Sequence, residues 1–298
     1  MTTTHLPPKP SALAFHLRNY YLLVKFTLSF TVVFSCVICY LIAPKVVVYD
    51  WAMIGWLFLA GMLVTGSANA INQAVEKDTD ALMKRTDKRP VANGNMSQTE
   101  AYTFAAIAGV VGVFMMYYFF NLSSALLSAF SLFLYAFVYT PLKKINSIAV
   151  LVGALPGALP CLIGWVAGND DFAAGGWILF GMQFLWQFPH FWAIAWVAHT
   201  DYSKAGFKLL PADKGPTHFT AIQCIMYSVL MIPMGILPYY FGISGTISLW
   251  VVLAANLGMV VQSIRLYREM NVTAARRVMF SSYIYLPIVL LAILANKA

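Results

Sequence analysis

Asn72, Glu76 and Asp80 follow one another at four-residue intervals. On a helix of 3.6 residues per turn each step drifts by only about 40°, so three oxygen-bearing side chains stack along one face. Two carboxylates one turn apart repel each other by roughly 0.2–0.5 kcal/mol, and a hard divalent cation reverses that sign. Mg²⁺ takes one or two carboxylates, keeps several waters and fills its other positions with phosphate oxygens of a substrate. Lys84, Arg85, Lys88 and Arg89 follow within a few residues and offer cations to the same polyanion. The competing reading is a solvated loop whose acids and bases form weak salt bridges.

Two further clusters could do chemistry. Lys143 and Lys144 close the run that begins at Tyr139, and taken alone they are ordinary loop lysines. The stretch from Phe184 to Trp192 packs a proline and His190 among aromatics, and His199, Asp201, Lys204 and Lys208 follow it. On one unbroken helix Trp186, His190, Ile194 and Asp201 share a face. The aromatics read equally well as a membrane-interface belt. A buried imidazole, by contrast, needs a hydrogen-bond partner or a ligand.

Holding such groups requires elements, and composition decides their type. The 298 residues are 60% hydrophobic and only 10% charged, against about 25% charged in an ordinary soluble domain. Too few charges remain to build a water-facing surface, so lipid bilayer is the expected solvent over most of the exterior. The apolar stretches run near 20 residues without the alternation of barrel strands. The expected fold is therefore all-α: a polytopic membrane helical bundle. Spans are expected near 26–43, 52–71, 102–120, 123–139, 148–167, 175–198, 219–241, 246–264 and 278–296, which makes nine transmembrane helices. Residues 1–25 are expected to be a cytoplasmic N-terminal segment, and 26–298 a single membrane-embedded domain.

With the N-terminus in the cytoplasm, 17 of the 19 Lys and Arg residues fall on that side and only Lys45 and Lys297 on the other. That asymmetry is the positive-inside pattern. It accounts for most of the net charge of +8 without a nucleic-acid partner, and the basic residues are dispersed rather than gathered into a reading motif. Cys36, Cys39, Cys161 and Cys224 lie in or beside apolar spans and read as small packing residues. Gly153, Gly157, Gly164 and Gly168 form two G-x-x-x-G spacings with Pro156 and Pro160 between them, a signature of close helix packing. Long charged loops follow both the second and the sixth span, and Asp-Lys-x-Pro recurs at Asp87 and Asp213, which suggests two pseudo-repeated halves around a cavity open to the cytoplasmic side.

The run from Asn72 through Glu76 and Asp80 to Arg89 and Pro90 resembles the first acidic motif of the UbiA-type intramembrane prenyltransferases. The segments Trp186–Trp192, Asp201–Gly206 and Leu209–Pro211 resemble the haem-farnesylating branch of that family. The resemblance implies transfer of the farnesyl group of farnesyl diphosphate to a vinyl group of haem b, with water adding to give haem O. It further implies a bacterial cytoplasmic (inner) membrane location and, as a partner, a haem O-oxidising enzyme or an oxidase assembly factor. Carried over by position, Asn72, Glu76, Asp80 and Asp201 are the catalytic, Mg²⁺-holding residues. Lys84, Arg85, Arg89 and Lys143 or Lys144 clamp the diphosphate, and His190 with Trp186 meets the haem. Two positions depart from the family pattern: Glu76 stands where aspartate is usual, and Ala205 stands where other members carry a second aspartate after Asp201. A quinone-prenylating enzyme of the same family and, from another class, a transporter are the alternatives.

Overall fold

Capping side chains set where the helices begin. The computed structural model describes residues 11–211 and 215–298. A short helix α1 (Ala12–Leu23) leads into α2 (Phe26–Ile42), and α3 (Trp51–Val75) is followed by the five-residue α4 (Lys77–Ala81). Next come α5 (Gln98–Phe119) and α6 (Leu122–Phe133), which continues through a wide π-helical turn (Leu134–Tyr139) into α7 (Thr140–Leu142). The second half holds α8 (Ala149–Asn169), α9 (Ala174–Val197), the six-residue α10 (His199–Lys204), α11 (His218–Tyr240), α12 (Thr246–Glu269) and α13 (Val272–Ala295). Asp50, Ser97, Asn121 and Asn271 each accept a backbone N–H in the first turn of the helix they precede. Each thereby satisfies a donor that the helix itself leaves orphaned.

The all-helical membrane bundle is as expected, and the count of nine spans is not confirmed by length and hydropathy. Among the described residues seven helices are long and apolar enough to cross a membrane, and the pair α1 and α2, bent by 52°, makes up to eight. The shortfall from nine is α9. Its 24 residues suffice for a crossing, but Gln183, Gln187 and His190 lower its hydropathy. Within the expected N-terminal segment 1–25, residues 12–23 are helical and form the first limb of the bent pair. α12 and α13 also run several residues beyond the apolar stretches, since the turns carrying Arg265, Arg268, Arg276 and Arg277 stay helical. Lys9 and the Asp213–Lys214 pair, half of the Asp-Lys-x-Pro echo, lie outside the described residues. The echo has another form: α3 and α9 are each followed at once by a very short helix, α4 and α10.

α8 is the centre of the bundle, with 78% of its most apolar stretch buried. It packs on α2, α6 and α9, while α13 contacts both α9 and α2 and so joins the end of the chain to its beginning. The glycines make the approach possible. A Cβ on Gly164 would lie 1.9 Å from the Cys36 carbonyl oxygen of α2, and one on Gly168 would meet Ala43, Val46 and the Tyr40 carbonyl. Gln183 and Gln187 donate to the Gly157 and Ala154 carbonyls of α8 at 2.8 and 2.9 Å, which is polar gluing of helices inside a membrane. Pro160 leaves the Pro156 carbonyl without its usual helical donor, and Ser131 Oγ donates to it instead at 3.3 Å. Both prolines are buried. All four cysteines are free and buried, as the packing reading expected.

Lys45 and Lys297, the two basic residues expected on the far side, lie at one end of the bundle. Lys45 Nζ donates to the Asn169 carbonyl at 2.6 Å, and Lys297 Nζ donates to the Leu41, Ala43 and Val46 carbonyls at 2.9, 2.8 and 2.9 Å. The lysine thus caps the C-terminal end of α2, where carbonyls lack intrahelical donors. Lys297→Met is expected to cost about 2 kcal/mol, seen as a lower thermal midpoint of the detergent-solubilised protein with turnover per folded molecule unchanged. An unaltered midpoint would mean that the cap is dispensable.

Candidate active site

The acidic run does not stay on one unbroken helix. α3 ends at Val75, and Glu76, at φ −93° and ψ 13°, links it to α4. The four-residue hydrogen bonding persists across the break, from Glu76 N–H to Asn72 O at 2.9 Å and from Asp80 N–H to Glu76 O at 2.7 Å. The expected stack therefore survives, and all three side chains are buried, Asp80 to 1% exposure.

Each member of the stack meets a cation from a different segment. Asn72 Oδ1 accepts from Lys25 Nζ at 2.8 Å. Lys143 Nζ forms an ion pair with Glu76 Oε1 at 2.5 Å. Arg89 Nη1 donates to Asp80 Oδ2 at 2.6 Å, leaving Asp80 Oδ1 buried with no partner. Burial pulls the Lys143 ammonium below the usual lysine range, and the neighbouring Glu76 carboxylate opposes that pull. Two acids facing three cations leave the pocket with an excess positive charge, which suits an incoming polyanion.

Local structure explains how these cations arrive. Lys25 sits in the left-handed region at φ 47°, at the bend between α1 and α2. This conformation costs a residue with a Cβ roughly 1–2 kcal/mol. The loop after α4 folds back on itself, with Thr86 Oγ1 donating to the Asp80 carbonyl at 2.8 Å, and so returns Arg89 to Asp80. The π-helical turn ends at Thr140, whose Oγ1 accepts from Asn72 Nδ2 at 3.3 Å, and Lys143 follows three residues later. Such wide turns are frequent at functional sites.

The second half reaches the pocket through aromatic residues rather than through acids. Arg85 Nη2 donates to the Tyr202 hydroxyl at 3.3 Å, and Met83 is buried in a small cluster with Ala205 and Phe207. Lys143 Nζ lies 4.9 Å from the Tyr139 ring centre and 5.4 Å from that of Phe207, and its carbonyl accepts from Lys208 N–H at 2.8 Å. Asp201 makes no side-chain hydrogen bond or ion pair among the described residues. The shared face expected for Trp186, His190, Ile194 and Asp201 is broken, because the helix is interrupted at Ala198 between α9 and α10. Lys84 and Lys144 are exposed, and Lys143 is the member of its pair that enters the site.

His190 has an internal partner that its sequence surroundings did not suggest. Its Nδ1 lies 2.7 Å from Ser282 Oγ of α13, its ring stacks on Trp186 at 4.6 Å between centres, and Tyr283 meets it edge-on at 5.3 Å.

The donor set fits magnesium of one kind. Asp80 Oδ1 is a buried carboxylate oxygen without a hydrogen-bond partner, while Glu76 Oε1 is held by Lys143. No group of three or more His, Cys, Asp or Glu that could hold a metal occurs among the described residues. Two carboxylates and an amide suit an ion that takes its other ligands from phosphate and water, and do not form a closed protein cage.

A helical membrane bundle with a buried acidic stack ringed by cations defines an integral-membrane enzyme that acts on a polyanionic substrate. Comparison with known proteins agrees. The model of the UbiA prenyltransferase family matches residues 32–285. A protoheme IX farnesyltransferase of Cytophaga hutchinsonii is 41% identical over 285 residues, covering 96% of this chain and 99% of that protein. Its counterpart in Flavobacterium johnsoniae is 37% identical over 281 residues, covering 92% and 93%. Among solved structures, a digeranylgeranylglyceryl phosphate synthase has a TM-score of 0.77 at 22% identity, covering 94% and 98% of the two chains. A UbiA homolog from Archaeoglobus fulgidus bound to GPP and Mg²⁺ has a TM-score of 0.67 at 16% identity, covering 92% and 99%. The chain belongs to the UbiA prenyltransferase family.

Proposed function

We propose that this chain transfers the farnesyl group of farnesyl diphosphate to a vinyl group of protohaem IX, giving haem O. The observation that carries the reading is the convergence of Glu76 and Asp80, the latter with a buried oxygen lacking a hydrogen-bond partner, with Lys25, Arg89 and Lys143 in one pocket. The names of relatives up to 41% identical over nearly the whole chain supply the prenyl donor and the acceptor. Asn72, Glu76 and Asp80 would hold Mg²⁺, in keeping with the Mg²⁺ of the Archaeoglobus homolog, and Asp201 is the acid that the second half would add to them. When bound, the metal withdraws charge from the leaving diphosphate.

The protein's own residues do the rest. Lys143, Arg89 and Arg85 take the negative charge that grows on the diphosphate as the bond from farnesyl C1 to oxygen breaks. Burial of the pocket strengthens that attraction and keeps water from the allylic cation. The rings of Tyr139, Tyr202 and Phe207 offer it electron-rich faces. Farnesyl C1 then bonds to the vinyl carbon, water adds its oxygen to the adjacent carbon, and a proton is released. Trp186 and His190 border the acceptor, with His190 meeting either the haem iron or a propionate. The charge asymmetry supports a cytoplasmic N-terminus, and the bacterial relatives support an inner-membrane location.

Haem extracted from a host expressing the chain is expected to contain haem O, with none in the same host lacking it. Unchanged haem with a newly prenylated quinone precursor would favour the quinone reading instead.

A further inference from the structure

Ser282 sits inside α13, in a stretch where the sequence offers only apolar periodicity, and it is fully buried. It holds two members of the histidine chamber at once. Its carbonyl accepts from Trp186 Nε1 at 2.9 Å, and its hydroxyl oxygen lies 2.7 Å from His190 Nδ1 and 2.6 Å from the Met279 carbonyl. A serine hydroxyl carries one hydrogen. The Met279 carbonyl can only accept, so that hydrogen goes to Met279, and the contact with His190 must then be donated by Nδ1–H. A neutral imidazole protonated at Nδ1 carries its free lone pair on Nε2.

We propose that Ser282 is a positioning residue for the acceptor: it fixes the His190 tautomer and pins Trp186 against the ring, so that Nε2 is presented to the iron of the bound haem. The inference rests on the reading of His190 as an acceptor contact, and it chooses between the two haem groups left open above. An unprotonated Nε2 attracts a Lewis acid and repels a carboxylate, so iron is favoured over a propionate. A ring N–H held by a hydrogen-bond acceptor is the arrangement that orients metal-binding histidines elsewhere.

The test uses the full chain in nanodiscs, with haem titrated by its Soret band and a non-reactive farnesyl diphosphate analogue titrated with Mg²⁺. Ser282→Ala is expected to weaken haem binding by about 10- to 100-fold and to change the Soret position of the bound haem towards that of His190→Ala. Ser282→Thr, whose hydroxyl can make both contacts, is expected to restore affinity and spectrum. Analogue binding should be unaltered in all three variants. A wild-type titration and spectrum for Ser282→Ala, alongside a weakened His190→Ala, would overturn the role of the serine while leaving that of the histidine. Unchanged haem binding by His190→Ala would overturn the histidine reading itself. Loss of analogue binding in Ser282→Ala would make the serine a general packing residue, against the proposal.

Discussion

Asp80→Asn is expected to lower turnover of farnesyl diphosphate by about 100- to 1000-fold, the loss typical when one preorganised electrostatic contact to a developing charge is removed. The substitution preserves shape and leaves an oxygen to accept from Arg89, but it removes the negative charge at the buried oxygen Asp80 Oδ1, which has no hydrogen-bond partner. Alanine would be the less informative change. It also removes the acceptor, leaving the buried Arg89 contact with neither charge nor hydrogen-bond partner at a cost of about 3–5 kcal/mol, and lost folding would then mimic lost chemistry. Glu76→Asp should keep most of the activity, because the charge remains and Lys143 can follow a carboxylate one methylene shorter. Turnover of Asp80→Asn above about half of wild type, measured with saturating Mg²⁺, would make the acidic stack structural.

Gly164→Ala is the change expected to damage the fold most for the fewest atoms added. Its new methyl would fall 1.9 Å from the Cys36 carbonyl oxygen and 2.9 Å from Tyr40 N, both of them backbone atoms of α2 that no rotamer change can move. α8 and α2 must separate, at the centre of the bundle, where overpacking costs about 3 kcal/mol or more. Gly55→Ala is the matched control, since a Cβ there meets nothing within 4 Å. Thermal unfolding in detergent should show a large drop for Gly164→Ala and none for Gly55→Ala. Equal midpoints would mean that the two helices are not held in this contact.

These two positions also mark what a single sequence can reveal. Asn72, Glu76 and Asp80 were legible because their chemistry is written at helical spacing within one segment. The G-x-x-x-G series was legible as packing for the same reason, although its partner helix was not. Lys25 reads as one more loop lysine, because its role depends on a left-handed bend and on Asn72, 47 residues away. Tyr202 and Phe207 escape notice beside the more conspicuous Asp201, whose expected alignment with His190 fails at the break at Ala198. Ser282 looks like any small residue in an apolar span until α13 is laid against α9. The span count is left unconfirmed only where polar side chains serve the interior: Gln183, Gln187 and His190 make α9 less apolar than its neighbours while fitting it to α8 and α13.

The central claim is that Asn72, Glu76 and Asp80, with Lys25, Arg89 and Lys143, form the diphosphate pocket. Calorimetric binding of a non-reactive farnesyl diphosphate analogue, with and without Mg²⁺, tests it most directly on the wild type and on the Glu76→Gln, Asp80→Asn double variant. Saturable, Mg²⁺-dependent binding by the wild type is expected, with the Mg²⁺ dependence lost and affinity at least about tenfold weaker in the double variant. Equal affinity and equal Mg²⁺ dependence in the two proteins would contradict the claim and move the diphosphate to another part of the bundle.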